Sequence, residues 1–112
     1  MNLPSYGVCL PCHWRSVIDG NEVVVSWLYS TDLHLRLLDC RAERLTTEAG
    51  RRAKAFAEEV LEEASEELSV FIPLPETESP DVFSHRADGY IFINTHTTLN
   101  EMLVAAGHAT KL

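Results

Sequence analysis

The chain has 112 residues, 46% of them hydrophobic and 23% charged, a composition typical of one globular domain over residues 1–112 rather than of a disordered chain. No apolar run approaches the roughly 18 residues that cross a bilayer, and the opening MNLPSYGVCL has no signal-peptide pattern. We therefore expect a cytoplasmic protein with no membrane association. The net charge of −8 disfavours simple electrostatic attachment to nucleic acid.

The charges are unevenly distributed along the chain. Six of the nine Lys and Arg residues lie between Arg36 and Lys54, whereas six glutamates lie within positions 58–67. The sequence therefore predicts a local basic zone inside an acidic protein, followed by an acidic segment.

The first half of the chain has the pattern of a three-stranded meander. Residues 12–18 lead into a DGN turn, residues 22–29 (EVVVSWLY) are rich in β-branched and aromatic residues, and STD predicts a second turn at 30–32. In the third strand, residues 33–40, the leucines at 33, 35 and 37 share one face. Arg36 is expected on the opposite face.

A helix is expected from Thr46 or Thr47 to about Glu67. Its expected apolar face consists of Ala49, Ala53, Phe56, Val60, Leu61 and Ala64. Arg51, Arg52 and Lys54 lie in the early turns, where the helix dipole disfavours positive charge. This order has two interpretations: an anion site in which Arg51 and Arg52 act together with free N–H groups, or a solvent-exposed face.

The second half predicts two more strands and a second helix. LSVFIPL (68–74) and GYIFIN (89–94) have the composition of buried strands, with a polar loop at 75–81 between them. Thr98 and Glu101 form a capping-box pattern before an apolar stripe that stops at Gly107. The predicted order is β-β-β-α-β-β-α, an α+β and mainly β fold whose five strands can close into a barrel.

Cys9, Cys12 and His13 have the C-x-x-C-H spacing of covalent haem attachment. Without a leader pattern we expect no haem, and an odd number of cysteines fits a reducing cytosol better than a disulfide framework. A zinc site completed by Cys40 is an alternative. The favoured interpretation is that these cysteines are small, half-buried strand residues.

Three segments in this order resemble the staphylococcal-nuclease-like (thermonuclease) family: VIDGNEVVV, RLLDCRAE and TLNEMLVAAGHA. The family pattern is roughly D-G-D-T, then R-L-x-x-I-D-x-P-E, then L-N-x-x-L-V-x-x-G-x-A. Together with the element order, the resemblance covers residues 12–110. It implies a five-stranded OB-fold barrel with packed helices.

The resemblance also implies a chemistry and its residues. Nucleases of this family cleave a phosphodiester with calcium, two arginines and a glutamate. Arg36 and Arg86 match the arginines and Glu43 matches the glutamate, so these three are the candidate catalytic residues. Asp19 matches the first Asp of the D-G-D turn beside the metal, and Asn21 stands at the second.

The sequence departs from the family pattern at several positions. Asn21 lacks the charge of the second Asp, the proline before Glu43 is missing, and Asp88 occupies a usually apolar position. Replacing carboxylates at a site for a hard cation should weaken calcium binding.

Two functions therefore remain open. One is a nuclease-like phosphodiesterase acting on nucleic acid. The other is a non-catalytic OB-fold binding module, for a nucleotide or another anion at Arg36, Arg51 and Arg86, or for a basic protein at the acidic helix (58–67). Arg52 and His85 are further candidate phosphate ligands.

Overall fold

The computed structural model describes residues 7–27, 31–73 and 86–112. Within these residues the chain forms eight strands and two helices, so the fold is α+β and mainly β, as predicted. The elements are β1 (Gly7–Pro11), β2 (His13–Asp19), β3 (Glu22–Trp27), β4 (Thr31–Leu37), β5 (Cys40–Ala42), α1 (Glu48–Glu63), β6 (Ser69–Pro73), β7 (Arg86–Phe92), α2 (Leu99–Ala105) and β8 (Ala109–Lys111). None of the helices in these ranges is long and apolar enough to cross a membrane.

Six strands form one mixed sheet in the order β1-β6-β7-β4-β3-β2. The predicted meander is confirmed, since β2, β3 and β4 pair antiparallel in succession. β4 and β7 pair in parallel, and this pairing aligns His34 with Arg86. The outer strands β1 and β2 are separated along the chain by Cys12 alone, whose N–H donates to the carbonyl of Leu68 at 3.1 Å.

The alternation along β4 separates the core from the outer face of the sheet. Leu33, Leu35 and Leu37 are buried, as the alternation predicts, and Arg36 is exposed on the opposite side. Each buried leucine contributes about 1.5–3 kcal/mol of transfer free energy, which fixes the register because a slip by one residue would expose all three.

Helix α1 begins where the sequence predicts and ends earlier. The hydroxyl oxygen of Thr47 accepts the N–H of Gly50 at 2.9 Å, which identifies Thr47 as the N-cap. The helix ends at Glu63 instead of about Glu67, because the chain turns to bury Leu68. Its buried residues are Gly50, Ala53, Ala57, Val60 and Leu61. Ala49, expected on the apolar face, is exposed.

Asn100 in α2 is fully buried and holds that helix on the sheet. Its Nδ2 donates to the carbonyls of Leu38 at 2.8 Å and Gly89 at 3.1 Å, while its Oδ1 accepts the N–H of Ile91 at 3.3 Å. The predicted cap of this helix is confirmed, because the Thr98 hydroxyl accepts the N–H of Glu101 at 3.1 Å.

Three strands were not predicted. β1 precedes the first predicted strand pattern at residues 12–18, and it pairs with β6. β5 and β8 form a separate two-stranded sheet that aligns Arg41 with Thr110. β7 begins at Arg86 rather than Gly89, because main-chain pairing with β4 extends beyond the apolar run. Residues 31 and 32 of the predicted turn belong to β4 instead, whereas residue 30 and the predicted loop at 75–81 lie outside the described residues.

Candidate functional site

The outer face of β3, β4 and β7 carries a cluster of charged side chains. The strand registers place Glu22 beside Arg36 and Arg36 beside Asp88, with His34 and Arg86 paired in the neighbouring row. They surround an open depression of about 300 Å³, called here the arginine depression. Its lining residues are Glu22, His34, Arg36, Arg86, Ala87 and Asp88.

The fold thus brings together two of the three candidate catalytic residues. Arg36 and Arg86 are fifty positions apart in the sequence, and the parallel pairing of β4 with β7 places both on one depression. Because the leucines of β4 point into the core, the residues between them, His34 and Arg36, point outward. His85, the neighbour of Arg86, lies outside the described residues.

Arg36 makes a bidentate ion pair with Asp88. Its Nε donates to Oδ1 at 3.0 Å and its Nη2 to Oδ2 at 2.8 Å. The hydrogen bond and the charge of Asp88 raise the pKa of the Arg36 guanidinium above its ordinary value, and Glu22 adds to this through its charge. Both partners are exposed, at 67% and 45%, so solvent screening limits what the pair contributes to folding to roughly 1 kcal/mol or less.

A second contact in the arginine depression joins His34 and Glu22. The Nδ1 atom of His34 lies 3.5 Å from Oε2 of Glu22, a distance at the outer limit of a hydrogen bond. The cluster therefore alternates in sign across the three strands, with Arg36 between two carboxylates. Its positive groups can hold an anion only in competition with those carboxylates.

Glu43 lines a different depression, of about 400 Å³, beyond the short strand β5. This Glu43 depression also includes Arg52, which was predicted to bind phosphate, and His108. Its lining residues are Arg41, Glu43, Ala49, Arg52, Ala106, Gly107, His108, Ala109 and Thr110. The arginine depression does not include Glu43, whose predicted catalytic role stays a prediction.

The two arginines at the start of α1 interact with their own helix and the preceding loop. Nη2 of Arg52 lies 2.9 Å from Oε1 of Glu48, one helical turn earlier. Nη1 of Arg51 donates to the carbonyl of Leu45 at 3.3 Å. Neither arginine lines the arginine depression, and their phosphate-binding role stays a prediction.

The predicted metal ligands shape the turn between β2 and β3. Oδ1 of Asp19 accepts the backbone N–H of Asn21 at 2.7 Å and of Glu22 at 2.9 Å. Nδ2 of Asn21 donates to the carbonyl of Cys40 at 2.8 Å, and its Oδ1 accepts the N–H of Ala42. These bonds attach β5 to the turn.

The fit of this turn to calcium is poor. Calcium takes six to eight oxygen ligands, whereas Asp19 offers one carboxylate with an oxygen already accepting two N–H groups. Across residues 7–27, 31–73 and 86–112, no group of three or more His, Cys, Asp or Glu side chains is placed to hold a metal.

The glutamates between positions 58 and 67 lie on the second half of α1 and the turn after it. Glu58 is half-buried and the other five are exposed. These carboxylates form an acidic surface around the C-terminal end of α1. Binding of a basic protein there stays a prediction.

Several residues of the cluster were not singled out by the sequence. Alternation along β4 places His34 on the same face as Arg36, whereas Glu22 and Asp88 lie beside Arg36 only because of the registers with β3 and β7. A further contact involves Asp39, which follows β4 and has a left-handed φ of 63°. Its Oδ2 accepts the hydroxyl of Tyr90 at 2.5 Å; burial, together with this bond, raises the pKa of Tyr90.

The three cysteines differ in exposure. Cys9 in β1 is exposed, whereas Cys12 and Cys40 are buried in the core. Burial, with a smaller contribution from Cys9, raises the pKa of the Cys12 thiol to about 12. Burial and the charge of Asp39 raise the pKa of Cys40 to about 11. The cysteines were predicted to be half-buried strand residues, and none of them is. Cys9 lies in a strand but is exposed, Cys40 lies in a strand but is buried, and Cys12 is buried between β1 and β2.

Only Cys9 is expected to react rapidly with dithiobis(nitrobenzoate) in the native protein at about pH 8, because the thiolate is the nucleophile and the other thiols are buried and protonated. Cys12 and Cys40 should react only after unfolding in urea. The absorbance of the released thionitrobenzoate, measured before and after urea is added, gives the number of reacted thiols and checks this prediction. The Cys9→Ser variant should lose the fast phase, and a fast phase in that variant would contradict the prediction.

Comparison of the chain with protein-family models finds no match, and comparison with curated proteins also finds none. The resemblance to the thermonuclease family therefore rests on the sequence motifs alone.

Proposed function

We propose that this protein binds the phosphate of a nucleic acid or nucleotide in the arginine depression. The observation that supports this function is that Arg36 and Arg86, from two strands distant in sequence, line one depression. Guanidinium groups bind phosphate through parallel, charge-assisted hydrogen bonds. His34 in the same depression adds a ring nitrogen that can donate to a phosphate oxygen.

We also propose that the six-stranded sheet forms an OB-fold barrel. The strand order supports it, because the residues of β1 and β2 form one nearly continuous run that supplies both outer strands. In that arrangement β3 and β4 are the second and third barrel strands. OB-folds bind oligonucleotides on the face of those two strands, which here carries Glu22, His34 and Arg36.

The charge balance predicts weak, salt-sensitive binding. The protein carries a net charge of −8, and Glu22 and Asp88 lie beside the arginines. A ligand must therefore be recognised by local contacts at Arg36 and Arg86 rather than by the field of the whole protein. We expect detectable affinity at low ionic strength and its loss as salt is added.

Arg36→Ala and Arg86→Ala should each weaken phosphate binding about tenfold, because each removes charge-assisted hydrogen bonds worth roughly 1.5 kcal/mol. The measurement is fluorescence anisotropy with a short oligothymidylate that has a 5′-phosphate and a 3′-fluorophore, at low salt. Arg15→Ala is the matched control, since Arg15 is exposed, pairs with Asp32 at 3.2 Å and does not line the depression. Equal affinities for all four proteins would exclude this site.

A second candidate function is phosphodiester hydrolysis. It is favoured by the pair of arginines in one depression, since such a pair can stabilise the charge that develops on phosphorus. Nuclease activity should be assayed with calcium, with magnesium, with manganese and with a chelator. Activity that falls in Arg36→Ala and in Glu43→Gln would support hydrolysis, and identical background in wild type and both variants would reject it.

A further inference from the structure

We propose that Asp88 is an internal competitor for Arg36, and that the ligand is therefore a phosphate group with more than one negative charge, such as a terminal phosphomonoester, rather than a single internal phosphodiester. This inference rests on the proposed phosphate-binding function. It specifies the class of phosphate ligand and identifies Asp88 as the residue that determines this class.

The competition follows from the atoms of Arg36 that are in use. Asp88 accepts from both Nε and Nη2, which together form one of the two edges of the guanidinium that can bind a phosphate in parallel. A phosphate that binds Arg36 through this edge must displace the carboxylate. Asp88 is 45% exposed, so its displaced carboxylate can be solvated by water.

The competitor is held in place by the main chain. The parallel register pairs the Cα atoms of Arg36 and Asp88, and the next residue, Gly89, accepts the N–H of Leu38 at 2.9 Å and Nδ2 of Asn100 at 3.1 Å. A group tethered beside its partner acts at a high effective concentration. A ligand from solution has no such advantage and needs a stronger interaction.

Charge supplies that stronger interaction. A phosphodiester has one negative charge, as the Asp88 carboxylate has. A diester that replaces this carboxylate on Arg36 therefore brings no additional negative charge to the arginine. A phosphomonoester carries about −1.5 to −2 near neutral pH and three acceptor oxygens. Its second charge is attracted by Arg86 in the same depression. The cost of displacing Asp88 is the same for both ligands, whereas only the monoester has the larger attraction.

The test compares phenyl phosphate, a monoester, with methyl phenyl phosphate, its diester counterpart, by NMR titration of the backbone amides. Wild type should bind phenyl phosphate at least about tenfold more tightly than the diester. Asp88→Asn should bind both ligands about three- to tenfold more tightly than wild type does, because the competing charge is gone. Asp32→Asn is the matched control, an exposed aspartate paired with Arg15, and should change neither affinity.

The outcomes separate this inference from the function on which it rests. If wild type binds phenyl phosphate but Asp88→Asn binds it equally or more weakly, the competition is overturned while phosphate binding stands. Weaker binding would show in addition that Asp88 positions Arg36. If wild type binds the diester as tightly as the monoester, the ligand class is overturned. If neither wild type nor Asp88→Asn binds either compound, both the function and the inference fail.

Discussion

Replacing Asn100 with alanine is expected to lower the free energy of unfolding by about 3 kcal/mol or more. The side chain is fully buried and all its hydrogen bonds go to backbone groups of other segments. Its removal leaves the N–H of Ile91 and the carbonyl of Leu38 without this partner, and each buried unsatisfied group costs roughly 1–3 kcal/mol. The cavity left by the amide adds a smaller cost.

Urea unfolding monitored by circular dichroism measures this effect. Asn94→Ala is the matched control, because Asn94 is exposed and its Oδ1 accepts the N–H groups of His96 and Thr97 at 2.8 Å within one turn. Its loss should cost about 1 kcal/mol or less. A difference of less than about 1 kcal/mol between the two alanine variants would refute the role assigned to Asn100.

Gly50→Ala should also destabilise the protein, by about 2–4 kcal/mol, although alanine is normally the better helix former by up to about 1 kcal/mol. A Cβ atom at Gly50 would overlap the carbonyl oxygen of Arg44 and would lie 2.8 Å from that of Glu43. Both are backbone atoms, so no side-chain rotation relieves the clash. Either the helix start or the loop before it must move.

Thermal and urea unfolding of Gly50→Ala, beside Ala49→Gly, test this prediction. Ala49 is the exposed neighbour on the same helical turn, and its change to glycine should cost only about 1 kcal/mol. A Gly50→Ala variant as stable as wild type would show that the close approach of α1 to Arg44 is absent. The added Cβ atom would also approach the carbonyl oxygen of Glu43, so the variant should alter the Glu43 depression as well.

The elements that could be predicted are those determined by local rules. Alternation assigned the leucines of β4 to the core and Arg36 to the opposite face, and side-chain capping identified the starts of α1 and α2. β1, β5 and β8 could not be predicted, because their main-chain partners are distant in sequence and their residues show no clear alternation. The end of α1 depends on where Leu68 is buried, which is a tertiary contact.

Only part of the candidate site could be predicted from the sequence. Motif resemblance selected Arg36 and Arg86, which lie in one depression. The pairing of Arg36 with Asp88 depends on the register between β4 and β7, and no local pattern contains that register. The position of Glu43 depends on β5 pairing with β8 and on the contact at Gly50.

The strand order has a consequence for how the chain folds during synthesis. β1 leaves the ribosome before its partner β6, which follows only after α1 has been made. Until then the main-chain groups of β1 lack their native partner, and the pairing has a high contact order, which slows folding. β1 therefore has to wait for its pairing partner through the synthesis of five intervening elements. A nascent chain stalled before Ser69 would present an unpaired strand that other chains can join.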